Sequence, residues 1–276
     1  MREEMGMSLS LMNKLKWDDR LLVNGAPCHT DYLVKPGDIV TAKLPDSTPE
    51  YPAEDGNLEI LYEDDHFLAV DKPAGMLIHP SRACNTGTLA NFVLGYYRKT
   101  GQNCAFHPIT RLDRDTFGVV LLAKNSHIHA LMMAALRENA LKKTYYALVW
   151  GEPDGKGVID APIARREKPS LLRYVDDSGK PCLTTYRLLE NRGKYSLLEL
   201  HPITGRTHQL RVHCAYMGHP ILGDPQYGSA ESLALSGEME ITTQALCAGK
   251  LEFTHPITRE EICLQIRNDH IIVFNV

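Results

Sequence analysis

The residues best suited to chemistry lie in one stretch, residues 107–125, with the sequence HPITRLDRDTFGVVLLAKN. It places Asp113 between Arg111 and Arg114, and an apolar run typical of a β-strand follows at 119–122. Guanidinium groups beside a carboxylate favour its charged form. A permanently ionised aspartate suits a nucleophile better than a general acid. A surface turn closed by salt bridges fits the same residues, so this stretch alone leaves both interpretations open.

Two further groups of residues are candidates for a site. Tyr145 lies in the run KTYYALVW, which is typical of a strand because it is rich in aromatic and β-branched residues. The run GRTHQLRVH predicts a helix on which Thr207, His208 and Arg211 share one face, bordered by Leu210. The free amides at the start of such a helix favour a phosphate or a carboxylate. Each of these side chains also has an ordinary structural role, and none is decisive alone.

Several familiar catalytic classes lack their motifs in this chain. It has no HExxH, GxxxxGK[ST] or GxSxG motif and no Cys/His cluster at zinc spacing. A glycoside hydrolase needs a second carboxylate, for which Asp115 is the candidate beside Asp113. The residues alone therefore indicate an enzyme or an RNA-binding protein with an ionised aspartate.

Composition indicates an ordinary soluble protein. The chain has 276 residues, of which 43% are hydrophobic and 23% charged. Without a signal peptide or an apolar run of membrane-spanning length, a cytoplasmic location and no membrane partner are expected. Seven scattered cysteines without a CxxC pair are expected to be reduced thiols. The net charge of −4 argues against strong nonspecific nucleic-acid binding, although 30 Lys and Arg residues leave room for a local basic groove.

The elements that must position these residues fall into three predicted regions. Residues 1–45 form a small module with a strand at 21–24, a turn at Asn24-Gly25 and a strand at 38–44. Its VNG and KPGDIV runs resemble part of the αL RNA-binding module. Residues 46–57, with several prolines and acids, are expected to be a linker.

Residues 58–276 are expected to form the main domain, with an α+β fold and a mixed, largely antiparallel sheet. Strands are predicted in hairpins near the start, middle and end of the domain and at 143–150. Residues 151–181 are predicted to be loops. Helices are predicted at three places, the first capped by Thr86 or Thr88 and ending near Tyr97, the second running from a Ser126 cap to Asn139, and the third spanning 207–217 before Gly218.

Six runs in the main domain resemble the motifs of the RluA family of RNA pseudouridine synthases, and they occur in the family's order. They are DKPAGMLIHP at 71–80, RLDRDT at 111–116, KTYYALVWG at 143–151, GRTHQLRVH at 205–213, GHPILGD at 218–224 and TQALCAGKLEFTHP at 243–256. The family breaks the N1–C1′ bond of a uridine within RNA, turns the base and rejoins it through C5. The resemblance therefore implies an isomerase that acts on ribosomal or transfer RNA and needs no cofactor or metal.

The resemblance also implies roles for individual residues. Asp113 matches the essential aspartate, Tyr145 the aromatic that stacks on the base and helps to remove the C5 proton, and Arg211 the aspartate's basic partner. The substrate-binding residues implied are Arg111, which replaces the flipped nucleotide in the helix, with Leu210, Thr116, His208, Gln209 and Lys72. Lys72 belongs to a motif whose role in the family is mainly structural. We expect a monomer.

Three positions depart from the family pattern. Thr110 stands where the family usually has histidine, Phe117 where it usually has serine, and Cys247 where it often has histidine. None of them is a proposed catalytic group, but Thr110 and Phe117 flank the central loop. Two alternatives therefore remain: a non-catalytic RNA-binding protein that retains the fold, and a glycoside or nucleoside hydrolase using Asp113 and Asp115.

Overall fold

The structure is a computed structural model that describes residues 6–29, 31–44, 51–81, 84–167, 170 and 172–267. Part of the predicted linker, residues 46–50, lies outside this range, as does the end of the predicted main domain after residue 267. In the described part of the chain, no helix has the length and apolar character needed to cross a membrane.

The described residues contain the following helices and strands. The helices are α1 (Leu9–Trp17), α2 (Leu89–Lys99), α3 (Ser126–Arg137), α4 (Gln209–Tyr216) and α5 (Ala230–Glu238). The strands are β1 (Leu21–Val23), β2 (Ala26–Pro27), β3 (Val40–Ala42), β4 (Glu59–Glu63), β5 (Phe67–Lys72), β6 (His107–Pro108), β7 (Phe117–Ala123), β8 (Lys142–Trp150), β9 (Lys156–Asp160), β10 (Ile163–Arg165), β11 (Arg173–Val175), β12 (Leu183–Asn191), β13 (Tyr195–Pro202), β14 (Leu246–Thr254) and β15 (Glu261–Gln265).

One large sheet dominates the chain. Its strand order is β4-β5-β7-β14-β8-β13-β12-β9, with β15 also paired to β14 and β6 to β7. Neighbouring strands are antiparallel except β7 and β14, which run parallel in the middle of the sheet. The predicted α+β fold with a mixed, largely antiparallel sheet is therefore confirmed.

The core lies on both faces of this sheet. Successive side chains of a strand point to opposite faces, and β5 illustrates the consequence. Phe67 and Ala69 pack in the cluster that contains Ile128 of α3, whereas Leu68 packs with Val93 of α2 in a second cluster. Helices cover both faces of β5 and β7, which is why both strands consist mainly of apolar residues.

The helix ends show where side-chain and backbone geometry refine the prediction. Thr88 caps α2. Asn125, not Ser126, caps α3, because its side-chain oxygen accepts a hydrogen bond from the backbone N–H of Ile128 at 2.9 Å. The third helix does not begin at Thr207 as predicted. It begins at Gln209, because His208 has a left-handed backbone with φ of 58°.

The prediction of loops at 151–181 is wrong in part, since β9, β10 and β11 lie there. Glycine suggested a loop, but Gly157 sits in β9 opposite Tyr186 of β12. A Cβ at Gly157 would lie 2.6 Å from the Tyr186 ring, so a larger residue here would have to displace that ring.

The N-terminal part contains α1 and a separate sheet with the order β2-β1-β3. The turn at Asn24-Gly25 is present, with φ of 50° and 84°, as a tight hairpin turn requires. Asn24 also joins this turn to the other strand, because its side chain donates to Asp38 at 2.8 Å and accepts from the backbone of Ile39 at 2.9 Å. The predicted strands are found, the second shortened to β3.

Candidate active site

The loop that carries Asp113 is held from two sides. At its end, Gly118 has φ of 116°, and a Cβ there would lie 2.3 Å from the carbonyl oxygen of Ala248 in β14. Only glycine permits this close approach of the parallel strands. At its start, the Thr110 hydroxyl accepts a hydrogen bond from the backbone N–H of Leu121 at 3.0 Å. Thr110, a departure from the family pattern, thus has a structural role.

Lys72 fixes the middle of the loop. Its ammonium donates to the carbonyl oxygens of Pro73, Met76 and Arg114 at 2.8, 2.9 and 2.8 Å, and its side chain is fully buried. Burial lowers the pKa of Lys72 to about 8, although Asp115 and other nearby carboxylates favour its charged form. All three donors of Lys72 are engaged by these carbonyls, so in this structure Lys72 supports the loop.

Asp113 meets its cationic partner across the fold. Arg211 Nη1 donates to Asp113 Oδ2 at 3.2 Å, which joins residues 98 positions apart. The expected neighbour Arg114 bonds Asp115 instead, with two contacts of 3.0 Å. The charge that supports Asp113 therefore comes from α4, not from a flanking arginine within the loop.

Arg211 is itself rigidly held. Its Nε and Nη2 donate to the two carboxylate oxygens of the fully buried Asp224 at 2.7 and 2.8 Å, and Nη2 also donates to Gln226 at 2.8 Å. The Tyr227 ring lies 5.0 Å from its Cζ. Burial opposes the charged form, but Asp224 and Asp113 together raise the pKa of Arg211 above its ordinary value.

A cavity of about 620 Å³ opens beside Asp113, within the usual size range of ligand sites. Every predicted site residue except Lys72 lines it. Tyr145, from β8, forms part of its wall and packs with the cluster that contains Leu210. Burial raises the pKa of the Tyr145 phenol, and the charge of Asp113 adds to the effect. Tyr145 is therefore protonated at neutral pH.

Two residues expected to bind substrate have their polar groups engaged within the protein. The Gln209 amide accepts from Thr204 and the backbone of Arg206 and donates to Leu183 and Thr184, at 2.8–3.0 Å. These bonds fill its hydrogen-bonding capacity. The Thr116 hydroxyl accepts from Gln244 at 2.8 Å, and Thr116 is buried. Both shape the wall of the cavity.

The residues that line the cavity include more cations than carboxylates, unlike the chain as a whole, although Arg114 is paired with Asp115 and Arg211 with Asp224. Among the described residues that line it, Asp113 is the only carboxylate. The cationic residues are Arg111, Arg114, Lys143, Arg206 and Arg211. A chain with a net charge of −4 can therefore still have a local basic groove, because its positive side chains are concentrated where a polyanion would enter.

Motif analysis of single side chains missed Asp224, Gln226 and Tyr227. The signal was present in the run GHPILGD, whose final aspartate is a charged residue among apolar neighbours. Buried charges are normally paired, so Asp224 called for a cationic partner that only the fold identifies. Among the described residues, no group of three or more His, Cys, Asp and Glu side chains is arranged to hold a metal ion.

Comparisons with known proteins agree with this geometry. The family model described as RNA pseudouridylate synthase matches residues 66–216. The chain is 38% identical over 251 residues to the RNA pseudouridine synthase YhcT of Bacillus subtilis, covering 88% of this chain and 80% of that protein. It is 36% identical over 249 residues to the ribosomal large subunit pseudouridine synthase D of Pseudomonas aeruginosa, covering 87% and 78%.

Solved structures give the same result. The human protein described as RNA pseudouridylate synthase domain containing 1 superposes with a TM-score of 0.64 at 27% identity, covering 78% of this chain and 85% of that one. The human RNA pseudouridylate synthase domain containing 4 has a TM-score of 0.60 at 26% identity, covering 76% and 88%.

Proposed function

The chain belongs to the RluA family of RNA pseudouridine synthases, and we propose that it isomerises specific uridines in ribosomal or transfer RNA with Asp113 as the nucleophile. The observation that carries the role of Asp113 is its contact with Arg211 at the base of a cationic cavity. Ribosomal RNA is the better supported substrate, because one relative of similar length is named for the large ribosomal subunit.

The target uridine enters the cavity after leaving its stack. Extrusion costs a few kcal/mol, which contacts between the cationic rim and the RNA phosphates offset. Arg111 lines the mouth, where it takes the place of the extruded nucleotide. Tyr145 and Leu210 offer the flat and apolar surfaces against which an extruded base stacks.

Asp113 then promotes cleavage of the glycosidic bond. Its carboxylate either bonds C1′ or assists a glycal-type intermediate, and in both cases the electron pair of the C1′–N1 bond leaves with the base. The base turns and C5 bonds C1′. In the first route the Asp113–C1′ bond breaks in this step, and in the glycal route Asp113 takes a proton from C2′ and returns it as C5 attacks. The C5 proton is then lost and N1 takes up a proton, so the reaction is a net isomerisation. Because the Tyr145 phenol is protonated, it hands a proton on or donates a hydrogen bond and does not act as a standing phenolate base.

The remaining residues support the site. Lys72, Thr116 and Gln209 hold the walls, and His208 faces the substrate.

Residues 1–45 form an RNA-docking module that precedes a linker at 46–57 and the catalytic domain at 58–276. The enzyme acts as a monomer in the cytoplasm. Removal of residues 1–45 is expected to weaken RNA affinity without changing the single-turnover rate at saturating RNA.

Tritium release from RNA labelled at uridine C5 tests the role of Asp113. Asp113→Asn removes the nucleophilic charge at constant size and is expected to lower the single-turnover rate by at least ~10³-fold. Asp177→Asn, at an exposed aspartate outside the cavity, is the matched control and should retain wild-type activity. If Asp113→Asn released tritium at the wild-type rate, Asp113 could not be the nucleophile.

The same assay separates the alternatives. A non-catalytic RNA-binding protein would release no tritium from total cellular RNA yet bind it. A hydrolase would release free uracil and would lose activity on Asp115→Asn. Thr110 and Phe117, which depart from the family pattern, favour neither alternative, because both have structural roles. The Thr110 hydroxyl accepts a backbone hydrogen bond, and the Phe117 side chain packs against the core.

A further inference from the structure

Tyr227 joins three parts of the site without being one of its predicted members. Its hydroxyl oxygen accepts a hydrogen bond from the backbone N–H of Arg173 in β11 at 3.0 Å. The same oxygen lies 2.8 Å from His208 Nδ1, and the ring lies against the Arg211 guanidinium. The residue therefore connects the β10–β11 hairpin to both histidine and arginine in the cavity.

The donor and acceptor properties of Arg173, Tyr227 and His208 determine where the hydrogens lie in this series of hydrogen bonds. The backbone N–H of Arg173 is always a donor, so it occupies one acceptor site of the Tyr227 oxygen. The hydroxyl hydrogen can then point to His208 Nδ1, 2.8 Å away. A neutral imidazole carries one hydrogen. With Nδ1 as the acceptor, the hydrogen of His208 lies on Nε2.

We propose that Tyr227 is a positioning residue that holds His208 as a neutral imidazole, whose Nε2–H is donated to an oxygen of the uracil ring while the glycosidic bond is broken. This proposal rests on the proposed function for its substrate. His208 lines the cavity beside Asp113, and Tyr227 engages only its Nδ1. The ring thus has one donor left to offer to a bound base.

The charges that face His208 bear on its protonation state. Burial lowers the pKa of His208; Asp113 and Asp224 favour the imidazolium, whereas Arg211 and Arg173 oppose it. Protonation would also put a hydrogen on Nδ1, and the Tyr227 hydroxyl would then have to turn its own hydrogen away from His208. Burial and geometry thus act in the same direction, towards the neutral ring.

A neutral donor has a chemical advantage here. When the C1′–N1 bond breaks, its electron pair moves to the base and spreads over the two carbonyl oxygens and the nitrogens. A hydrogen bond from a neutral imidazole stabilises that charge without giving up the proton, as preorganised donors do at other developing anions. An imidazolium could instead protonate the base, which would then escape as free uracil.

The tautomer can be measured without any activity. Long-range proton–nitrogen correlation spectra of protein labelled with ¹⁵N-histidine distinguish the three ring states, and His208→Gln identifies the signal among the 12 histidines. The expected result at pH 7 is a ring protonated on Nε2 alone. An imidazolium, or a ring protonated on Nδ1, would overturn the proposal even if the enzyme isomerises uridine as expected.

Tyr227→Phe tests the positioning role by tritium release. It keeps the ring against Arg211 but removes the hydroxyl, so the single-turnover rate should fall by about tenfold with little change in KM. The acid limb of its pH profile should move to higher pH as His208 becomes easier to protonate. Tyr174→Phe, at an exposed tyrosine of β11, is the control and should match wild type.

Substitutions of His208 complete the test. Glutamine places a neutral N–H donor near the position of Nε2, so His208→Gln should retain most activity with a flat acid limb and be insensitive to Tyr227→Phe. His208→Leu should lose about 10²-fold or more. Equal losses in His208→Gln and His208→Leu, or an unchanged rate and pH profile in Tyr227→Phe, would overturn the proposal. If wild type releases no tritium, the proposed function fails and the tautomer measurement still stands.

Discussion

Arg211 is shared by two carboxylates, and the two bonds differ in kind. Asp224 is fully buried and binds Arg211 through two nitrogens, whereas Asp113 is part-exposed and is reached only by Nη1. A buried bidentate pair fixes the guanidinium plane. Asp224 therefore holds Arg211 in position whatever the charge on Asp113, because it continues to neutralise the guanidinium.

Asp224→Asn tests this division of labour at constant size. It leaves a buried guanidinium without its main partner, so the free energy of unfolding should fall by about 3–5 kcal/mol. The single-turnover rate should fall more than RNA affinity, because Arg211 can then turn away from Asp113. Urea unfolding and tritium release measure the two effects.

Glu190→Gln is the control for Asp224→Asn, because it breaks an exposed ion pair, to Arg192, and should leave both the unfolding midpoint and the rate unchanged. An Asp224→Asn protein with wild-type stability and rate would show that Asp224 does not position Arg211.

At the scale of elements, the loop that carries Asp113 is positioned by two strands that are remote in sequence. Lys72, at the end of β5, binds the Arg114 carbonyl, and β14 approaches Gly118 at the start of β7. The strands themselves could be predicted from apolar runs. Their parallel pairing could not, since β7 and β14 are separated by more than a hundred residues and no local pattern records which strand lies next to which.

The residue at which the helix carrying Arg211 begins also depends on contacts that a local sequence pattern does not record. The sequence predicted a helix from Thr207, but Gln209 bonds Thr204 and the backbone of Arg206, which sets the entry into the helix after a left-handed His208. The identity of Arg211 and its pairing with Asp113 could be expected from the family motifs. The buried contacts of Asp224 and Tyr227 needed the fold, because they join separate segments.

The titration of Lys72 gives a prediction with opposite signs for stability and activity. Because burial lowers its pKa to about 8, the folded chain binds fewer protons than the unfolded chain between pH 8 and the ordinary lysine value of 10.5. Wild type should therefore gain stability relative to Lys72→Met as pH rises through this window, by at most about 1.4 kcal/mol per pH unit, and lose that gain below it.

Activity should move the other way. A neutral amine has only two hydrogens for the three carbonyls, so the loop loosens and tritium release by wild type should fall above about pH 8. Lys99→Met, at an exposed lysine of α2, should show neither effect. A stability difference between wild type and Lys72→Met that stays constant from pH 7 to pH 10 would contradict the lowered pKa.

At the scale of the whole molecule, an acidic protein presents a cationic cavity to a polyanion. The net charge of −4 repels RNA from most of the surface, while the rim of the cavity attracts it. Composition could indicate only the average charge. The distribution of that charge depends on the fold. The order of the strands brings the loop of Asp113, β8 and the segment before α4 together at one opening.

This distribution makes the salt dependence of binding a local property, which Arg206→Gln tests. Arg206 is an exposed cation at the rim, so its loss should weaken RNA binding and reduce the slope of log K against log salt by about 0.7–0.9. Arg187→Gln removes the same charge from the exposed side of β12, outside the cavity, and should leave the slope unchanged. Binding titrations at several salt concentrations distinguish the two. If both variants reduce the slope equally, RNA responds to the net charge of the molecule, and the rim of the cavity is not its docking site.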